Sequence, residues 1–152
     1  MKIAVVCANG KAGKLIVKEA VERGLDVTAI ARGSNQSAAA KFIQKDLFDL
    51  TKEDLTQFDV VIDAFGAWTE DTLPLHSTSL KHLCDILSGT DTRLLVVGGA
   101  GSLYVNAEHT AQVMNGPDFP DVFKPLASNM GKALAERVQF DSTMSAIDAG
   151  DY

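Results

Sequence analysis

No apolar run in this chain of 152 residues approaches the roughly 18–20 that a membrane-spanning helix needs, so no such helix is expected. Cysteine is scarce: Cys7 and Cys84 stand far apart with no Cys-x-x-Cys pair, which leaves no disulfide framework. Both are expected to be buried, reduced and inert. His76, His82 and His109 lack ligand-like spacing, so no metal site is expected. Basic residues are outnumbered, 14 against 20 acidic, and the formal charge of −6 would repel a phosphate backbone. That argues against a nucleic-acid partner but leaves room for a local basic pocket that takes one small phosphate ligand. The opening MKIAVVCANG is too short for a signal-peptide core. A cytoplasmic protein is the expectation.

What is present is ordinary globular material. Hydrophobic residues at 46% and charged residues at 22% exclude a disordered chain, and the length suits one domain over residues 1–152. The pattern alternates strand and helix. Ile3 to Val6 is a continuous apolar run, as expected of a parallel strand covered on both faces. Ala12 to Arg23 places Leu15, Ile16, Ala20 and Val21 on one helical face, and Gly24 stops it. Val27 to Ala31, a weaker Lys41 to Lys45, Val60 to Asp63 and Leu94 to Val97 read as further strands. His76 to Leu87 reads as a helix with Leu80, Leu83, Cys84 and Leu87 as its stripe. Residues 100–124 read as a long loop, a third of which could be helical, and a last amphipathic helix runs from about Leu126 to Arg137. This alternation predicts an α/β fold: a doubly wound parallel sheet in three α/β/α layers, the Rossmann arrangement. Ligands of such sheets bind beyond the carboxyl ends of the strands.

The most informative turn follows the first strand: Cys7-Ala8-Asn9-Gly10-Lys11-Ala12-Gly13. Gly10 lets the backbone approach a pyrophosphate, and Gly13 lets helix and sheet pack closely. The helix N-terminus offers amide donors and partial positive charge to phosphates, with Lys11 and Lys14 able to add charge. A plain glycine turn would look the same in isolation; its place between an apolar strand and an amphipathic helix points to a dinucleotide. The end of the second strand separates the two cofactors. NAD(H) wants an acid there for its ribose hydroxyls, but the chain reads Ala31-Arg32-Gly33-Ser34. Arg32 suits a 2′-phosphate, with Ser34 as second donor, so NADP(H) is favoured over NAD(H). The competing reading of Arg32 is a solvated loop arginine.

These residues, with Val96-Val97-Gly98-Gly99-Ala100-Gly101-Ser102-Leu103, resemble the atypical short-chain dehydrogenases with the NmrA-like proteins. Within that group the likeness is to bacterial proteins of the NADH–flavin reductase type, and more distantly to biliverdin/flavin reductase. It covers residues 1 to about 137. The resemblance implies NAD(P)H binding and, in some members, hydride transfer to FMN, FAD or similar acceptors. It implies that Asp46 meets the adenine amino group with Leu47 beside the ring; a turn residue capping the next segment is the other reading of Asp46. Ala64, Phe65 and Gly66 match the loop along ribose and pyrophosphate, and Gly98 belongs to the glycine stretch after the fifth strand. Ser102 matches a serine beside the substrate carbonyl, or is a turn serine.

Three departures stand out. Cys7 occupies the family's first glycine, which is harmless only if its backbone angle is ordinary. The Tyr-x-x-x-Lys of ordinary short-chain dehydrogenases becomes Ser128-Asn129-Met130-Gly131-Lys132, which keeps Lys132 but has no phenol to protonate an alkoxide. A flavin or quinone acceptor needs less help, since solvent can supply its proton. Third, Val138-Gln139-Phe140 resembles the opening of a further strand, whereas Asp141 to Tyr152 does not match the family, which suggests a shortened C-terminus.

On the substrate side Trp68 is a candidate to stack on a nicotinamide or flavin ring, although a lone Trp is more often a core or lid anchor. His76 is a candidate near the same crevice, with a helix-surface histidine the commoner explanation. Tyr104 lies in the long segment, which suits a lid or a dimer contact. Ser102 and Lys132 are the candidates for the catalytic side. The expected function is NADPH-dependent reduction of a flavin or similar small aromatic acceptor by direct hydride transfer. The alternative is a non-catalytic NADP(H)-binding sensor of NmrA type or an inactive remnant; a sugar-nucleotide epimerase fits poorly without the Tyr.

Overall fold

The computed structural model describes residues 1–140. They fall into two compact units: residues 1–67 with 82–97, and residues 68–81 with the described residues from 98 onward.

The first unit holds the sheet. Its strands are β1 (Lys2–Val6), β2 (Asp26–Ala31), β3 (Lys41–Gln44), β4 (Val60–Asp63) and β5 (Arg93–Val96). All pair in parallel in the order β3-β2-β1-β4-β5, so strand order reverses between β1 and β4, as in a Rossmann sheet. The five expected strands are all present, four of them with ends moved by one residue. The fifth begins at Arg93 and closes at Val96 instead of Val97.

Period-two alternation sends neighbouring residues of β1 to opposite faces. Ile3 and Val5 pack with Val27, Ala29 and the helix residues Val17 and Ala20 on one side. Ala4 and Val6 pack with Ile30, Val61, Leu50, Leu55 and Leu83 on the other. The helix on the first side is α1 (Lys11–Glu22), rich in Ala, Lys, Leu and Glu that lose little entropy in a helix. It stops cleanly. Gly24 takes φ +71 and donates to the Val21 carbonyl while the Leu25 amide reaches Ala20, the paired bonds of a Schellman motif.

The other face holds a short helix that the apolar period does not announce, α2 (Lys52–Leu55). Thr51 and Asp54 form a reciprocal capping box that makes four residues viable as a helix. Lys45 holds Asp54 at 2.5 Å, and its ammonium keeps that carboxyl below the usual carboxylate range. Helix α3 (Leu75–Leu87) runs from the second unit into the first, where Leu83 and Leu87 join the core.

In the second unit the expected long loop is more regular than its composition indicates. Short 3₁₀ turns occupy Ala100–Ser102, Val113–Asn115 and Asp121–Phe123, and an antiparallel bridge joins Tyr104 to Gln112. Such turns close by i to i+3 bonds and carry no apolar period to read. Helix α4 (Lys124–Phe140) is longer than expected at both ends, and Val138 to Phe140 are its last turn instead of a strand opening. Residues 141–152 lie outside the described part. No described helix is long and apolar enough to cross a membrane.

One close approach governs how α1 meets the sheet. A Cβ on Gly13 would sit 2.6 Å from the Cys7 carbonyl oxygen and 2.8 Å from Ala8 Cα. Both are backbone atoms and cannot swing away. Gly13→Ala is therefore expected to destabilise the protein by about 1–3 kcal/mol through forced separation of helix and strand. A urea midpoint equal to wild type would show slack that this contact denies.

Candidate functional site

The chain's carboxyl-end turns gather on one rim of the first unit. Backbone bonds carry the sheet ladder past the ends of β1, β3, β4 and β5: Ala8 to Ile30, Lys45 to Ala31, Ala64 to Val6 and Val97 to Asp63, all at 2.9–3.1 Å. The residues after these four strands are thus tied to their neighbouring strands before any ligand arrives.

At the centre lies the glycine turn. Ala8 is fully buried beneath it, and Gly10 is the N-cap of α1. No side chain caps this helix, and no acid stands in its first turn, Lys11 to Gly13. Its leading amides and dipole charge therefore face the rim, available to an anion. Lys11 and Ala12 are exposed there. A Cβ at Gly10 would lie 3.3 Å from the Cys7 oxygen, tight but short of the collision at Gly13.

Cys7 does not have an ordinary backbone angle. Its φ is +59, in the left-handed region where a non-glycine residue is strained by about 1–2 kcal/mol. Its side chain, half-buried, packs against the Val6 and Ile30 core. Burial above all, and then the Asp63 carboxylate, push the thiol up from its usual 9.0 to about 12, with Arg32 opposing. It stays protonated at neutral pH and serves as no nucleophile.

Beyond β2, Arg32 is 82% exposed with its Nε 3.7 Å from Asp46 Oδ2. Asp46 does cap the next segment: its carboxylate accepts from the Phe48 amide at 2.9 Å. The turn reading of Asp46 is correct, and its second oxygen still faces Arg32. Leu47 is buried in the core beneath them. Ser34 is exposed, and its carbonyl accepts from the Asn9 side chain at 2.8 Å. The same Asn9 side chain accepts from the Gln36 amide at 2.9 Å. This double bond between the glycine turn and the β2–β3 loop has no sequence signal, because its partners are 25 and 27 residues apart. Lys14 reaches the same loop, 3.1 Å from Gln36 Oε1.

After β4, buried Asp63 accepts from the Phe65 amide at 2.9 Å and so shapes the following loop. Ala64 is buried, Phe65 half-buried and Gly66 exposed. The first unit thus brings together the expected Ala8, Asn9, Gly10, Lys11, Ala12, Gly13, Arg32, Ser34, Asp46, Leu47, Ala64, Phe65 and Gly66.

The remaining candidates lie in the second unit. Gly98 has open space where a Cβ would stand. Ser102 donates to the Gly99 carbonyl at 3.4 Å and lies against α4, its Cβ 3.3 Å from a Cβ built on Gly131. Lys132, next in the chain, is exposed and paired with Glu136 at 3.6 Å. Trp68 is 77% exposed, which removes the core-anchor reading. His76 is 8% exposed, so the helix-surface explanation fails: it is a packed side chain. Tyr104 stacks on His109 with ring centroids 4.8 Å apart. His82 bonds to the Leu50 carbonyl, a structural tie in the first unit. Among the described residues no group of three or more His, Cys, Asp or Glu could hold a metal ion.

Residues 7–144 match the model of a family of NAD(P)H-binding proteins, and this chain belongs to that family. A curated relative, the uncharacterized protein YwnB of Bacillus subtilis (strain 168), is 46% identical over 145 residues, 93% of this chain and 68% of that one. A Streptococcus pneumoniae TIGR4 crystal structure, that of a "putative NADH-flavin reductase", is 58% identical with a TM-score of 0.85. That match covers 89% of this chain and 64% of the other, so the chain spans somewhat under two thirds of that protein's length. A Lactobacillus casei structure is 29% identical with a TM-score of 0.77, over 93% of this chain and 69% of its own. These likenesses agree with the resemblance to atypical short-chain dehydrogenases.

The strained cysteine gives a direct test. Cys7→Gly and Cys7→Ala both delete the thiol, but only glycine accepts φ +59 without penalty, so the glycine variant is expected to be the more stable by about 1 kcal/mol. Denaturant midpoints in the reverse order would contradict the left-handed angle. The raised thiol also sets a sign. Above about pH 9 the unfolded state releases this proton while the folded state keeps it, so stability falls as pH rises. Wild type should therefore lose stability relative to Cys7→Ala between about pH 9 and 11; parallel pH profiles would refute the shift.

Proposed function

We propose that the chain is an NAD(P)H-dependent oxidoreductase of flavin-reductase type, with NADP(H) as its preferred cofactor. The observation that carries the reading is the uncapped first turn of α1, clamped against β1 by Gly13, at the point where strand order reverses. A pyrophosphate there would meet backbone amides already oriented, with Lys11 adding charge. Its neighbours fit the rest of the molecule. Arg32 is exposed, held only by a weak surface ion pair with Asp46, and free to make charge-assisted bonds to a 2′-phosphate. Asp46 keeps one carboxylate oxygen toward the same space for an adenine amino group. The small Ala64 and Gly66 leave the backbone open to a passing ribose.

The bound cofactor supplies a hydride from its nicotinamide, and the protein's part is positioning. Flavin reduction is favoured over alcohol chemistry because Ser128 stands where a phenolic acid would be, and the neighbouring Lys132 is engaged with Glu136. A flavin accepts the hydride on its ring and takes the accompanying proton from solvent, so neither group is required. Trp68 and Tyr104 are the aromatic surfaces best suited to such an acceptor; Ser102 serves as a turn serine. The NmrA-type sensor is the second reading, favoured by the same missing acid. Homology to the Streptococcus protein supports the reductase.

Titration should give tighter binding of NADPH than of NADH. Arg32→Ala is expected to weaken NADPH roughly tenfold or more while leaving NADH within threefold, since one charge-assisted contact is worth about 1.5–3 kcal/mol. Equal losses for both would remove the 2′-phosphate role. Turnover separates reductase from sensor: NADPH oxidation in the presence of FMN should exceed that in buffer, and equality would leave only the sensor.

A further inference from the structure

We propose that Asn9 is the positioning residue of the 2′-phosphate site, and that Lys14 is that site's second cation. This rests on the NADP(H) preference above and adds how the loop that reads the phosphate is held. The β2–β3 loop starts at Arg32 and is exposed from there through Gln36. An exposed loop of Gly, Ser, Asn and Gln would sample many conformations, and ordering each residue costs backbone entropy. A phosphate bound by such a loop would have to meet that cost on binding.

Here the cost is met in the fold. Asn9 uses both ends of its amide. Its Nδ2 donates to the Ser34 carbonyl at 2.8 Å, and its Oδ1 accepts from the Gln36 amide at 2.9 Å. Asn35 closes the far side of the loop on itself, accepting from the Ser37 amide at 2.9 Å and donating to the Ala39 carbonyl at 2.8 Å. Ser34, the second phosphate donor, is thus pinned by its own carbonyl to the glycine turn, two residues after Arg32. Lys14 comes from α1 to the same loop, its Nζ on the Gln36 side-chain oxygen at 3.1 Å. That partner is a neutral amide, so the bond places the ammonium at the loop that Arg32 opens without neutralising it.

The consequence is a division of labour within the cofactor cradle. Asn9 touches no phosphate in this scheme; it acts through the backbone of Ser34 and Gln36, so its removal should cost discrimination before it costs affinity for the shared part of the cofactor. The probes are 2′,5′-ADP, which carries the 2′-phosphate, and 5′-AMP, which does not, titrated into the full chain by calorimetry. Asn9→Ala is expected to weaken 2′,5′-ADP about tenfold and leave 5′-AMP within twofold. Lys14→Met, a substitution at the protein surface, is expected to weaken 2′,5′-ADP severalfold with 5′-AMP again unchanged. It should also flatten the dependence of 2′,5′-ADP affinity on salt, as loss of one cation must.

A purely structural Asn9 would lower affinity for both probes alike, and that result overturns the inference. So does a Lys14→Met protein that binds 2′,5′-ADP within twofold of wild type. Loss of the cofactor preference and loss of the clamp give different results. If wild type itself binds both probes equally, the NADP(H) preference falls and this inference with it. If wild type discriminates but Asn9→Ala discriminates as well as wild type, the preference stands and only the clamp is refuted.

Discussion

Helix α1 is pressed onto the end of β1 so closely that only a hydrogen fits at residue 13, and the rest of the cradle follows from that contact. Because Gly13 lies against the Cys7 carbonyl and Ala8 Cα, the first turn of the helix cannot tilt away from the rim. Its amides are aimed by packing rather than by a cap, which is why they remain available to a ligand. The chain must also turn sharply between Val6 and Gly10 to start the helix there. The left-handed angle at Cys7 is where that turn is made. The family's glycine would accept it at no cost; the cysteine accepts it because its side chain gains burial against Val6 and Ile30. Strain of about 1–2 kcal/mol is set against partial burial of a small apolar group, and the two are of similar size.

The electrostatics of the rim follow the same geometry. Asp63 is buried and shapes the loop after β4 with one oxygen. Its charge is among the causes that keep the Cys7 thiol neutral, so the turn presents a small apolar side chain to the core instead of an anion to the phosphates. A thiolate under a pyrophosphate would repel it. Arg32 and Asp46 face each other at 3.7 Å across exposed ground, a pair worth between nothing and about 1 kcal/mol. An interaction that weak would give way readily to a phosphate. It would hold the guanidinium near the proposed 2′-phosphate without competing for it.

How far this could be read from the residues depends on the range of the interaction. The strands, α1 and α3 carry apolar periods, and Gly24 marks a stop, so their order and the glycine turn were legible from neighbours alone. Gly13 was legible for the same reason. Helix α2 was not, since four residues have no period, although Thr51-Lys52-Glu53-Asp54 spells its capping box. The 3₁₀ turns between Ala100 and Phe123 were hidden by a composition of Gly, Asn, Pro and Asp that reads as loop. Val138 to Phe140 was read as a strand opening on the family resemblance alone, and no local signal marks it as the last turn of α4. The ties of Asn9 to Ser34 and Gln36 were beyond reach: they exist only once β1 and β2 lie side by side. The commoner readings of His76 as a surface residue and of Trp68 as a core anchor both failed, because a single residue carries no burial signal outside a pattern.

The division of the chain bears on what kind of protein this is. Every residue assigned to the pyrophosphate and adenosine lies in the unit of residues 1–67 and 82–97, where the sheet fixes the turns to one another by backbone bonds. Every candidate for the acceptor side lies in the other unit, and side chains such as Trp68 and Tyr104 stand half or more in solvent. On the proposed reading, recognition of the cofactor rests on turns tied by the sheet, with Gly13, Arg32 and Asn9 as its specific residues. A flavin-type acceptor, as proposed, would demand little chemistry of its own, because a hydride acceptor with a conjugated ring needs a surface to stack on and no proton donor. On that reading, cofactor selectivity and acceptor choice would rest on different residues of the chain. Selection for a new acceptor would act on Trp68, Tyr104 and their neighbours, and would leave the glycine turn as it is.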